Sequence, residues 1–102
     1  AVEARAGRPA LDGPLIARVV FTMPKPRSAP KRRRTWPATK PDVSKLLRAV
    51  EDALTDAGVW TDDARVVEFE RLAKVYPSED PEALECPGVR IVVRAVVDAG
   101  AA

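Results

Sequence analysis

The sequence predicts an α+β domain, a small mixed or antiparallel sheet with one main helix packed on it. Three observations lead there. One stretch with helical apolar spacing occupies the middle of the chain, residues 44–58, and β-rich stretches flank it on both sides. A length of 102 residues leaves room for one small core. Hydrophobic residues make up 46 % of the chain, too many for a disordered one.

Residues 1–13 are rich in Ala, Arg and Gly without a period. They are expected to form a flexible N-terminal segment, the tail of a truncated element, ahead of a domain spanning 14–102. The chain begins at Ala1 rather than methionine, as a fragment or a processed chain would. The stretch "PLIARVVFTM" (14–23) reads as a strand, with Leu15, Ala17, Val19 and Phe21 on one face. Pro24 and Pro26 end it. Residues 24–41 form a long loop carrying Pro24, Pro26, Pro30, Pro37 and Pro41. A structureless loop of this length in a small domain is functional or mobile.

"SKLLRAVEDALTDAG" (44–58) is the clearest helix. Leu46, Leu47, Val50, Ala53, Leu54 and Ala57 follow the i, i+3, i+4 rule. Gly58 suits the position after the helix end, and Asp42 or Ser44 suits its cap. In "ARVVEFERLAKVY" (64–76) the period is ambiguous. Val66, Phe69, Leu72 and Val75 recur every three residues, whereas Val67, Phe69 and Arg71 alternate. The β-branched start favours a strand. Residues 77–88 read as a loop and "VRIVVRAVV" (89–97) as a strand.

Composition excludes several chemistries. There is no histidine, so Ser-His-Asp and Cys-His mechanisms are ruled out. The single cysteine, Cys86, forms no internal disulfide and gives no zinc set, so a reducing, cytoplasmic setting is expected. No apolar run is long enough to span a bilayer, so no membrane partner is expected. Catalysis would rest on carboxylates, lysines, arginines or a hard metal ion.

The net charge of +2 conceals an asymmetry. Residues 24–40 carry seven basic groups and no acid: Lys25, Arg27, Lys31, Arg32, Arg33, Arg34 and Lys40. The remainder holds 10 basic groups against 15 acidic ones, a balance of −5. A basic segment on an acidic body attracts polyanions, although such a run is also compatible with a merely solvated loop. Trp36 lies among these cations and suits contact with nucleic acid, whereas Trp60 suits packing.

Asp42 stands just before the helix. Ser44, Arg48 and Asp52 follow at i, i+4 and i+8, one polar stripe. The helix would run about 20 Å. The six residues after Gly58 would cover roughly 20 Å coming back. Asp63, with Asp62 beside it, can therefore return toward Asp42. Facing carboxylates with an arginine nearby suit Mg²⁺ and a phosphate. Each residue also has a plainer role: Asp42 as helix cap, Asp62–Asp63 as a turn, Arg48 as partner of Glu51 or Asp52. From spacing alone those plainer roles are the commoner ones.

The block "KPDVSKLLRAVEDALTDAGVWTDDARVVEF" (40–69) resembles the RusA-type Holliday junction resolvases, a family common in phages and prophages. Shared features are the aspartate before the helix, a basic residue on it, "DAL" at 52–54, "DD" at 62–63 and "RVV" at 65–67. The preceding strand, the basic loop and the closing "PGVRIVV" also fit, so the resemblance spans 14–97. It implies a Mg²⁺-dependent endodeoxyribonuclease, with Mn²⁺ as a possible substitute, acting as a homodimer. Such an enzyme cuts two opposed strands of branched DNA symmetrically during recombination and repair. Asp42 matches the first metal-binding aspartate and Asp63 the later one, with Asp62 its neighbour. Arg48 stands where the family carries a catalytic lysine. Ser44 replaces the second aspartate of D-x-D and is expected to be a weak, uncharged metal contact. The expected DNA-binding set is Lys25, Arg27, Lys31, Arg32, Arg33, Arg34, Trp36, Lys40 and Lys45. A weakened or silent junction-binding module of the same fold is the alternative. The family's usual strand and helix before the position of Pro14 are expected to be absent or truncated.

Overall fold

The computed structural model describes residues 9–96. In chain order it contains β1 (Leu15–Thr22), α1 (Val43–Asp56), a single 3-10 turn (Asp63–Arg65), β2 (Val66–Val75) and β3 (Gly88–Ala95). The three strands form one mixed sheet in the order β2-β1-β3. β2 runs parallel to β1 and β3 antiparallel to it. A parallel pair needs a long crossover, and the basic loop with α1 supplies it. The predicted α+β architecture, with one helix and a small mixed sheet, is therefore the one found.

β1 is central, which explains its near-continuous apolar sequence: seven of its eight residues are buried and Arg18 is half-buried. β2 and β3 are the edges, and their residues are mostly half-buried or exposed. Leu15, Ala17, Val19 and Phe21 pair with Ala95, Val93, Ile91 and Val89 of β3 on the face that receives the helix. There Leu15, Leu54, Val59 and Trp60 form the buried cluster, with Leu11, Val50, Val66, Ile91 and Val93 packed around it. Trp60 is 2 % exposed, and its indole N–H donates to Thr55 Oγ1 at 2.7 Å, so packing is its role, as expected.

The register of β2 resolves the ambiguous period. β2 has ten residues against the eight of β1, and the pairing shifts at two places, between Leu15 and Ile16 and between Ala17 and Arg18. Each shift admits one extra residue. Leu15, Ala17 and Val19 consequently face Val66, Phe69 and Leu72, spaced by three instead of two. The helix-like recurrence is a bulged strand. Val75, opposite Thr22, belongs to the other face.

α1 closes with a glycine for a physical reason. Val59 N–H donates to Leu54 O and Gly58 N–H to Thr55 O, the paired bonds of a Schellman ending, with Gly58 at φ +74°. A Cβ at Gly58 would meet nothing within 4 Å, so the cost of a side chain there is conformational. Gly58→Ala is expected to destabilise the chain by about 1 kcal/mol, with unchanged spectra and a lower urea midpoint.

Of the segment expected to be a flexible tail, residues 1–8 lie outside the described residues. Leu11 makes an isolated parallel bridge with Trp60, its N–H donating to Val59 O and its carbonyl accepting from Thr61 N–H. Val97, placed in the last predicted strand, also lies outside them.

Candidate active site and nucleic-acid interface

Asp42 occupies the N-cap of α1 in an extended conformation (φ −66°, ψ 142°). Its carbonyl accepts from Lys45 and Leu46 N–H, but its carboxylate makes no capping hydrogen bond. The usual duty of a capping aspartate is thus left undone. This exposed carboxylate sits at the positive end of the helix dipole. Lys74 fixes the approach to it: its ammonium donates to Thr39 O at 2.6 Å and Pro41 O at 2.9 Å. The Lys40–Pro41 peptide between them is cis.

Along α1, Ser44 and Arg48 follow on the exposed side. Arg48 lies six residues beyond Asp42, about 9 Å up the axis. It meets Asp52 at 3.7 Å, with both side chains largely exposed, so the pair is weak and Arg48 is readily recruited elsewhere.

The return segment delivers two more acids. Asp62 caps the 3-10 turn, its Oδ1 accepting from Ala64 N–H at 2.9 Å. That bond, with the neighbouring Asp63 carboxyl, holds the Asp62 carboxyl below the usual carboxylate range. Asp63 is pushed up by its hydrogen bond to Asp62, by burial and by the charge of Asp62, against the pull of Arg48. Glu51 on the helix is also pushed up, first by burial and then by Asp63. Asp63 is therefore near enough to α1 for its charge to act on Glu51 and for Arg48 and Asp52 to act on it. Among the described contacts none joins Asp42 to Asp63. Asp12 braces the turn from outside, pairing with Arg65 at 2.8 Å and accepting from Thr61 Oγ1 at 3.1 Å.

Among the described residues, no group of three or more His, Cys, Asp or Glu is drawn together tightly enough to hold a metal ion. The chemistry of the donors nevertheless suits a hard cation. All are oxygens, the Asp42 carboxylate makes no capping bond, and Asp63 is repelled by Asp62 and by Asp52 while Arg48 attracts it.

Before α1 runs the basic segment, which Lys74 holds at Thr39 and which acids of the loop after β2 hold elsewhere. Lys25 pairs with Glu79, and Arg34 meets Asp80 at 2.7 Å. Thr35 N–H donates to Glu79 Oε1 at 2.8 Å. Arg34 also lies 3.8 Å over the ring of Trp36, which is 58 % exposed. Arg27, Lys31, Arg32, Arg33 and Lys40 are exposed and make no ion pair among the described residues, and Lys45 is exposed on α1.

Sequence reasoning missed the acids that hold the segment. The loop after β2 lies across the sheet face opposite the helix. Arg71 grips Asp80 through two bonds of 2.7 Å and reaches Glu82 at 2.9 Å. Arg18 grips Glu82 through two bonds of 2.7 Å, and Leu84 N–H donates to Thr22 Oγ1. Arg71 holds the Asp80 carboxyl far below the usual range, and Arg18 with Arg71 brings Glu82 down to about 2. The signal was present: "SEDPE" (78–82) is an acidic run that complements the basic one.

An exposed acidic helix head with a flanking basic segment is an arrangement suited to phosphodiesters. A comparison with family models matches residues 1–94 to Endodeoxyribonuclease RusA. No curated protein and no solved structure gives a significant match. No helix among the described residues is long and apolar enough to cross a membrane. With the family model covering nearly the whole chain, this protein belongs to the RusA endodeoxyribonuclease family.

Proposed function

We infer that the chain is a metal-dependent endodeoxyribonuclease that resolves four-way DNA junctions by symmetric paired nicks in recombination and repair, working in the cytoplasm as a homodimer on branched DNA. The observation that carries this reading, within the family match, is the Asp42 carboxylate left free of capping at the head of α1 beside a cationic segment. By the family resemblance Asp42 and Asp63, which no contact among the described residues joins, would hold Mg²⁺, or Mn²⁺ in its place, with Asp62 adjacent and Ser44 as an uncharged contact. When bound, the metal supplies an activated water and neutralises charge developing on the phosphodiester. The chain's own residues do the rest. Arg48, lightly held by Asp52, swings to a non-bridging oxygen of the scissile phosphate. Arg27, Lys31, Arg32, Arg33, Lys40 and Lys45 contact the flanking backbone, positioning the DNA without reading sequence. Arg34 and Lys25 serve mainly to hold the segment, since their charges are matched by Asp80 and Glu79.

Ser44 tests the assignment of the metal end. Ser44→Asp adds a carboxylate one helical turn before Arg48 and two residues from Asp42. Junction cleavage is expected to rise about tenfold at limiting Mg²⁺, and the metal concentration for half-maximal rate to fall. A variant with unchanged metal dependence would place the metal elsewhere.

A further inference from the structure

The basic segment folds around a concavity of about 130 Å³ that the carboxylate site does not use. Buried Tyr76 and Pro37 line it, and Met23, Pro24, Pro26 and Pro41 complete apolar walls. Thr39 and Lys40, both exposed, line it as well. Drug-sized ligands occupy pockets of roughly 300 Å³ or more. The volume here is that of about four waters at about 30 Å³ each, enough for one flat heterocycle.

Its surroundings select the occupant. Apart from Met23 and Tyr76, which follow β1 and β2, the walls come from the segment that carries Arg27, Lys31, Arg32 and Arg33, whose charge favours an occupant attached to an anion. Lys40 and Pro41 in its lining directly precede Asp42 in the chain. A nucleobase lodged there has its own phosphate within reach of Lys40 and the next one near the head of α1. Proline rings offer flat apolar contact to a base, buried Tyr76, whose ring lies under the Lys25 ammonium at 5.7 Å, adds apolar lining, and the Thr39 hydroxyl offers one polar contact to the base edge. Extruding a base costs least where its stack is interrupted, as it is at the crossover of an open junction.

We propose that this proline-walled pocket receives one unstacked nucleobase from beside the crossover of the junction, seating the adjoining phosphate at Asp42. The inference rests on the DNA-junction reading above. It makes recognition of the branch point a matter of which base can leave its stack. Base capture, more than the backbone contacts, then distinguishes a junction from a plain duplex.

The test uses four-way junctions carrying 2-aminopurine at each position flanking the crossover in turn, titrated with the chain in the presence of chelator so that no strand is cut. Fluorescence at one flanking position is expected to rise severalfold on binding, with no rise in duplex of the same sequence. Thr39→Tyr, which fills the pocket from an exposed lining position, is expected to lose that rise even at saturating protein. Ala38→Tyr, an exposed residue next door that does not line the pocket, keeps it. Should Thr39→Tyr fail to fold, judged by its melting transition, Pro26→Tyr replaces it as a second filler. Binding with no rise at any position overturns the pocket while leaving the junction reading intact. A rise that both fillers leave unchanged does the same, because the base would then unstack elsewhere. Absence of any salt-sensitive junction binding overturns both readings together.

Discussion

Asp63→Asn is expected to lower junction cleavage at least about 100-fold while leaving DNA binding within about twofold. The substitution keeps size and removes one charge from the proposed metal set, where the loss of a single charged group has its full effect on the transition state. The DNA-binding cations are on a different segment and keep their charges, so affinity and its dependence on salt are expected to persist. Folding is not at risk. The Asp63 carboxyl is pushed up in the folded chain by Asp62 and by burial, so its ionised form is disfavoured there. That penalty is present above the folded pKa. Removing the charge therefore leaves the melting temperature at neutral pH unchanged or slightly higher. A dead, well-folded, DNA-binding variant identifies a catalytic carboxylate. A variant that still cuts at the wild-type rate would show that Asp63 is only part of a turn.

The second large effect lies far from the chemistry. Asp80→Ala is expected to cost about 2–3 kcal/mol of stability and lower the melting temperature by about 10 °C. The Asp80 side chain is 3 % exposed and accepts from Arg71, Arg34 and the Glu82 N–H. Its loss leaves Arg34 without its carboxylate and Arg71 with Glu82 alone. Because both arginines partly reach water, the cost falls below the about 3–5 kcal/mol of a fully buried pair. A functional consequence follows as well. Arg34 and Thr35 belong to the basic segment, so releasing them loosens its grip on DNA. Affinity for a four-way junction is expected to fall several-fold, measured at a temperature where the variant is folded.

The same cluster sets the acid limit of the fold. Asp80 and Glu82 are both held below their unfolded values, Glu82 at about 2, by arginines that stay charged throughout. A depressed carboxylate contributes stability that is fully present above its unfolded pKa and lost as pH falls through the folded one. Wild-type stability is thus expected to hold down to about pH 4 and decline from there toward pH 2. Chemical denaturation at a series of pH values checks this, and Asp80→Ala should flatten the decline. A decline equally steep in the variant would assign the acid sensitivity to other groups.

Much of this fold was legible because its elements carry one consistent signal each. The stretch 14–23 reads as a strand on β-propensity and alternation, and as β1 it is central because it is apolar on both faces. The helix declared itself through its apolar stripe and its glycine stop. The three-residue recurrence of Val66, Phe69 and Leu72 misleads because two bulges change the strand's period, and a bulge is a property of the pairing with β1, not of the stretch itself. The candidate site was named from the resemblance, and its arrangement could not be read from the sequence. Spacing alone favoured plainer roles for Asp42, Arg48, Asp62 and Asp63, and the resemblance is what singled them out. That Asp42 heads the helix without capping it, and that Asp63 feels the charge of Arg48 and acts on Glu51, depends on side-chain geometry. The pairing of Glu79 and Asp80 with Lys25 and Arg34 joins residues more than forty positions apart, and no local pattern reports it.

The most direct measurement is cleavage of a fixed four-way DNA junction by the purified chain, with Mg²⁺, with Mn²⁺ and with chelator, the products mapped on each strand. Paired nicks at symmetric positions on two opposed strands, appearing with either metal and abolished by chelator, are the expected result. Salt-sensitive binding to the junction with intact strands under every metal condition would contradict it.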